Sequence, residues 1–295
     1  MALGCRLSAS ARGADSTMVF KRAVIVGVGL LGGSVGLALR ARGMAEHIVG
    51  WGRRAESLQE ALQLGAADSI ETDLQTACRD ADLVVVCTPV QCVVPHVLSC
   101  LEVVAANGLI TDVGSTKLSI CDGLTGPGDA NFCGSHPLAG SEKSGVRFAS
   151  PELFCGKLAV VTPSSQTCSE LAHRTEKFWQ ALGSRTLRMS PLEHDCGVAQ
   201  TSHLPHIVAA ALAAGTPDAL LPLAASGWCD TTRVAAGGVE LWRQILQQNR
   251  TPVLDVLQQF SASLEIWIEA LRRDDAEQIE QLLLAGKQQR DSVGN

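Results

Sequence analysis

The residues best suited to chemistry in this chain begin with a glycine loop. Gly27-Val28-Gly29-Leu30-Leu31-Gly32 has the form G-x-G-x-x-G, after the apolar run Ala23–Val28 and at the start of the helical pattern Leu30–Arg42, which Gly43 closes. In such a loop the first glycine permits a tight turn, the second lets backbone approach a pyrophosphate, and the third lets helix pack close on strand. The helix N-terminus then faces the phosphates. Gly27, Gly29, Leu30, Leu31 and Gly32 are therefore expected to contact a dinucleotide. A site for NAD would carry an acid about 20 residues further on, to hold the ribose diol. Position 52 is glycine, followed by Arg53 and Arg54. That loop lacks a carboxylate to repel a 2′-phosphate and offers two cations to bind one, so NADP is favoured over NAD, which stays possible.

Three further polar segments follow apolar runs. Thr88-Pro89 ends the run Leu83–Cys87, and Asp112-Val113-Gly114-Ser115-Thr116-Lys117 ends the run at Leu109. Both lie where the strands of an open α/β sheet present ligands, so Thr88 and Pro89 are expected beside the cofactor and Ser115 beside the nicotinamide. The third, Gly134 to Gly145, is bracketed by glycines and carries His136 just past a short strand expected at Asn131–Gly134; a histidine held there could act as a base. His203 and His206 lie three apart, but no H-E-x-x-H spacing or carboxylate triad accompanies them, so no metal site is expected.

The elements that must position these residues alternate. His47–Trp51 reads as a second strand, Ala55–Leu64 as a helix, and Leu83–Cys87 as a fully apolar strand of the kind buried in parallel sheets. Helix or strand signals continue over Val90–Ala105, Leu109–Asp112, Thr116–Leu124, Leu158–Thr162, Ser169–Leu182 and Arg185–Met189. The alternation implies α/β architecture with a mainly parallel, Rossmann-type sheet. After Met189 every periodic segment is helical. Ser190, Pro191 and Glu193 form an N-cap, a first-turn proline and a capping-box acid, and one long helix is expected to about Ala214. The apolar stripes of Pro252–Arg272 and Ala276–Leu284 need cover, from within an all-α domain and from a second subunit. The expected organisation is a disordered leader over 1–17, a dinucleotide-binding domain over 18–189 and a helical substrate and dimerisation domain over 190–295.

Composition narrows the function classes. Twenty-four basic against 30 acidic residues, with no long basic run, argue against a nucleic-acid surface. No apolar stretch approaches the roughly 20 residues of a membrane span. Eleven cysteines without a C-x-x-C pair, many in apolar segments, suit free thiols in a reducing compartment, and the cytoplasm is expected.

Taken in order, the Gly27 loop, Asp112–Lys117, His136-Pro137-Leu138-Ala139-Gly140, Ser202-His203-Leu204-Pro205-His206 and Asp230-Thr231-Thr232-Arg233 resemble the prephenate/arogenate dehydrogenase family of tyrosine biosynthesis. The resemblance runs from about Ala23 to Asn249. It implies oxidative decarboxylation of a cyclohexadienyl ring in prephenate or L-arogenate, in a homodimer. His136 matches the family's catalytic histidine, Ser115 the residue bonding the same substrate hydroxyl, and Arg233 an arginine that grips a carboxylate. Ser141, Glu142, His206, Asp230 and Trp242 match positions lining the family's pocket. Two other readings remain open on the residues alone: a 3-hydroxyacid or imine reductase of the Rossmann-plus-helical kind, and a non-catalytic dinucleotide-sensing regulator.

Overall fold

The computed structural model describes residues 18–124, 126, 131–140 and 143–294. The expected leader over 1–17, and Ser141 and Glu142, lie outside the described residues. The chain divides into two compact units, Met1–Gly114 with Gly123–Arg188, and Ser115–Asp122 with Met189–Asn295.

In the first unit the strands β1 (Phe20–Val26), β2 (Ala45–Trp51), β3 (Ser69–Glu71), β4 (Leu83–Val86) and β5 (Leu109–Asp112) form a parallel sheet in the order β3-β2-β1-β4-β5. Between them run α1 (Leu30–Ala41), α2 (Ala55–Gln63), α3 (Leu74–Cys78) and α4 (Val93–Leu101). The central strands bury every residue of Ala23–Val26 and Leu83–Val86, as a sheet covered on both faces requires. Their register aligns Val26 with Trp51 and Val86, and Val86 with Asp112. The strand ends carrying the Gly27 loop, Gly52, Thr88 and Asp112 thus share one edge, and the order reverses at β1, where such sheets open a ligand crevice.

A second sheet, in the order β6-β7-β8, contains β6 (Gly134–Pro137), β7 (Leu158–Thr162) and β8 (Arg185–Arg188), backed by α6 (Ser169–Ala181). β6 runs antiparallel to β7, and β7 parallel to β8. The strand expected at Asn131–Gly134 is displaced. In that stretch Phe132 makes an isolated bridge to Ile110, Gly134 opens β6 opposite Thr162, and His136 lies inside β6 rather than past a strand. Pro137 obscures this in the sequence, yet β6 is an edge strand, where a proline's missing N–H is tolerated. Phe178 and Trp179 of α6 fill the core with Phe20 and Phe154 in edge-to-face contacts of 5.0–6.3 Å.

The second unit is helical: α5 (Leu118–Asp122), α7 (Pro191–Val198), α8 (Leu204–Gly215), α9 (Ser226–Thr232), α10 (Val239–Gln248), α11 (Arg250–Arg272) and α12 (Ala276–Val293). The capping box at Ser190 and Glu193 forms. The single long helix expected to Ala214 does not. A π turn over Ala199–His203 separates α7 from α8. Pro205 has no N–H to donate back along the helix, and a locally wider turn accommodates that loss. Ser115–Asp122 was expected with the contiguous 18–189 domain, but its contacts group it with the helical unit.

Candidate active site

In the first unit, Gly27, Val28 and Gly29 line a cavity of about 510 Å³ with Trp51, Gly52, Arg53, Arg54, Ser57, Thr88, Pro89 and His96. The three glycines are needed for three different reasons. Gly27 has φ +102°, and a Cβ there would lie 2.9 Å from the Cys87 carbonyl oxygen. At Gly29 a Cβ would meet nothing within 4 Å, so the backbone is open to a ligand. At Gly32 a Cβ would fall 2.1 Å from the Gly27 carbonyl oxygen, which holds α1 against the loop. No side chain caps α1 at Gly29, which leaves its first-turn N–H groups for an anion. These features fit a dinucleotide pyrophosphate. Leu30 and Leu31 open α1 beside it.

At the other end of the cavity, Arg54 is the N-cap of α2 and also makes no side-chain cap. His96 hydrogen-bonds Thr88 Oγ1 through Nδ1 at 3.0 Å and meets Trp51 edge to face at 5.0 Å. Burial, then the charge of Arg53, hold its pKa below the usual histidine value. Sequence reasoning missed Ser57 and His96, which follow no motif and reach the cavity only through the packing of α2 and α4.

His136, half-buried, pairs with Val160 across β6 and β7. The strand beneath it is clamped through its neighbour Ser135, which is fully buried. Ser135 Oγ donates to the Asp112 carbonyl at 2.6 Å, lies 2.7 Å from Thr111 Oγ1, and accepts from Trp179 Nε1 at 2.8 Å. The Asp112 carboxylate accepts the Ser135 N–H at 3.0 Å and the Gly114 N–H at 2.8 Å. Because successive strand residues face opposite ways, locking Ser135 inward fixes His136 on the other face. The sequence signal for this clamp is an acid ending the apolar strand β5.

In the second unit, Ser115 is half-buried at the start of a tethered segment. Thr116 Oγ1 donates to Gln248 Oε1 at 2.7 Å, and the Asp195 carboxylate accepts the Lys117 and Leu118 N–H groups at 2.8 and 2.9 Å. His206 and Trp242 are brought together as a stacked pair, with ring centroids 3.6 Å apart and planes 14° apart. Gly237 makes room for them, since a Cβ there would lie 2.6 Å from Trp242 Nε1 and 3.2 Å from His206 Cε1. Buried His206 has a lowered pKa, and its Nδ1 has no hydrogen-bond partner among the described residues. A buried, unpaired ring nitrogen costs stability unless a ligand meets it. Asp230 and Arg233 are exposed at the end of α9.

Comparison with known proteins agrees across both units. Residues 35–188 match the family model described as prephenate dehydrogenase, nucleotide-binding domain, and residues 190–285 the one described as prephenate dehydrogenase, dimerization domain. Prephenate dehydrogenase of Bacillus subtilis is 33% identical over 283 residues, covering 92% of this chain and 75% of that protein. The crystal structure of Aquifex aeolicus prephenate dehydrogenase, in complex with hydroxyphenyl propionate and NAD+, superposes with a TM-score of 0.87 at 30% identity, over 92% of this chain and 98% of that one. Synechocystis arogenate dehydrogenase gives a TM-score of 0.79 at 29% identity, over 92% and 99% of the two chains. With residues 35–188 and 190–285 matching the family's two domains in order, and a relative a third identical over 92% of this chain, the chain belongs to the prephenate dehydrogenase family.

Proposed function

We propose that the chain catalyses the dinucleotide-dependent oxidative decarboxylation of prephenate or L-arogenate, giving 4-hydroxyphenylpyruvate or L-tyrosine. The observation that carries this is His136, half-buried on a strand locked from beneath by Asp112, Ser135 and Trp179. A general base needs a fixed approach to one proton, and this strand supplies it. Gly27, Gly29 and Gly32 would hold the pyrophosphate of a nicotinamide dinucleotide, which would supply the acceptor for the hydride lost from the ring carbon that bears the hydroxyl. His136 accepts the hydroxyl proton and Ser115 hydrogen-bonds the same oxygen. The carboxylate on the opposite ring carbon leaves as CO2, driven by aromatisation. Arg233 binds a substrate carboxylate through its planar fork. His206 and Trp242 form a wall for the ring, and Ser141, Glu142 and Asp230 serve the same pocket.

For the cofactor, NADP is the proposed preference. Arg53, Arg54 and the uncapped start of α2 give an anion the donors and positive charge it needs. A homodimer is proposed through the helical unit, where Leu264, Ile266, Ile268 and Leu271 of α11 and Leu283 and Leu284 of α12 are exposed. A reducing, cytoplasmic location suits the ten described cysteines, all free thiols. No described helix is long and apolar enough to cross a membrane. The test is reduction of NADP or NAD followed at 340 nm with purified protein and either substrate. Turnover with one of them is expected, and none with either refutes the assignment.

A further inference from the structure

A buried polar chain in the second unit has a role beyond packing. Asn249, 1% exposed, sits between α10 and α11. Its Nδ2 lies 2.7 Å from the Asp195 main-chain oxygen and 3.1 Å from His203 Nδ1. The Asp195 oxygen can only accept, so the group facing it is the amide NH2. The same NH2 faces His203 Nδ1, which must accept as well. The ring proton of His203 is therefore on Nε2, and the imidazole is neutral.

His203, 2% exposed and ending the π turn, meets Trp242 edge to face at 5.9 Å and 87°. Trp242 in turn stacks on His206. On the other side of Asn249, Asp195 holds the segment that begins at Ser115 and also bonds His194 Nδ1 at 2.7 Å. Asn249 thus joins two parts of the second unit far apart in sequence: the Ser115 segment, and the Trp242–His206 stack.

We infer that Asn249 is a positioning residue, which fixes His203 as the neutral Nε2–H tautomer and so holds Trp242 in register with the segment carrying Ser115. The inference rests on the proposed substrate role of Ser115, His206 and Trp242. Burial supports it independently, because it pushes the His203 pKa down to about 4 against the opposing pull of Asp195, and the positive forms of His194 and His206 act in the same direction as burial. A charged His203 would displace the Asn249 donor and turn a proton toward it.

The test is made on the intact chain with 15N-labelled histidine. Long-range proton–nitrogen correlation reads the tautomer of each of the seven histidines, with His203 assigned by loss of its signals in His203→Gln. The expected result for the native protein is Nε2–H, unchanged from pH 8 to pH 5.5. An Nδ1–H tautomer, or titration near pH 6.5, overturns the inference without any variant. Asn249→Asp replaces the donor with an acceptor and is expected to move the His203 proton to Nδ1. It should lower kcat by about tenfold or more, as a small misplacement of a binding wall does. The dissociation constant for the dinucleotide, measured by calorimetry, should stay within about twofold, because that pocket lies in the first unit. An unchanged kcat overturns the inference. Absence of turnover in the native protein refutes the proposed function instead, and the tautomer then decides the role of Asn249 alone.

Discussion

Gly237→Ala probes the proposed substrate wall, Trp242 stacked on His206, with a single methyl group. A Cβ at position 237 would stand 2.6 Å from Trp242 Nε1 and 2.9 Å from its Cδ1. Non-bonded atoms of this kind rest at roughly 3.5 Å or more, so the indole must move by about 0.9 Å. It cannot slide freely, because its face is stacked at 3.6 Å on His206, and His206 Cε1 is itself 3.2 Å from the added carbon. The backbone is not strained by the change, since φ at Gly237 is −61°, so the effect is steric. Breaking an aromatic pair costs on the order of 1 kcal/mol, which lowers the melting temperature by only a few degrees in a protein of this size. Displacing a binding wall by close to 1 Å costs up to about a hundredfold in turnover. The expected result is a fall in kcat/KM of roughly 10- to 100-fold for the dehydrogenase reaction, with dinucleotide affinity unchanged. Steady-state kinetics, calorimetry with the dinucleotide and thermal unfolding together separate these terms. A kcat/KM within about twofold of the native protein would refute the placement of Trp242 and His206 at the substrate.

His136→Asn keeps a polar side chain on β6 but removes the proposed base, so kcat should fall by about 10²- to 10⁴-fold with dinucleotide binding unaltered; loss of that binding instead would mean His136 acts through the fold. Gly52→Asp has room for its Cβ, whose nearest neighbour is Leu58 Cδ2 at 3.6 Å, and should shift the ratio of NADP to NAD dissociation constants toward NAD. Gly32→Ala places a carbon 2.1 Å from the Gly27 carbonyl oxygen and should abolish dinucleotide binding in calorimetry. His203 has a folded pKa of about 4, below the unfolded value near 6.5, so the unfolded chain binds more protons between these pH values. Its contribution to stability is complete above about pH 6.5 and is lost as pH falls toward 4. That loss, on the order of 3 kcal/mol in urea unfolding, should shrink in His203→Gln.

The sequence made the sheet edge and the phosphate loop legible because both are local. An apolar strand, a glycine spacing and a helix start lie within some 20 residues, and each glycine answers to a steric need visible at its own position. That Gly52, Arg53 and Arg54 border the same cavity was legible for the same reason, whereas His96 arrives from 42 positions beyond Arg54 by the folding of α4 over the cavity. The phase of β6 was lost because Pro137 imitates a strand end. The contacts that group Ser115–Asp122 with the helical unit were not legible, because contiguity is a poor guide where hydrogen bonds decide. Its segment is held by Asp195 and Gln248, and neither periodicity nor composition tells which distant carboxylate will cap which amide. The histidine pair at 203 and 206 drew attention as a metal question, but its partners, Asn249 and Trp242, belong to other helices.

The π turn at Ala199–His203 is a matter of one residue. A regular helix advances about 100° per residue, and a π turn spends one residue more than an α turn on the same axial step. Everything after it is rotated relative to everything before it. Asp195 lies before the turn and His206 after it, so the turn sets the angle at which the element holding the Ser115 segment hands over to the element stacked on Trp242. Deleting exposed Gln200 would remove the extra residue of the turn and swing His206 by about 100° relative to Asp195, away from Trp242. Such a deletion changes no charge and removes no named functional group. The geometry of the Trp242–His206 stack is thus written partly in the number of residues in a turn, a quantity that substitution leaves untouched and a one-codon deletion changes.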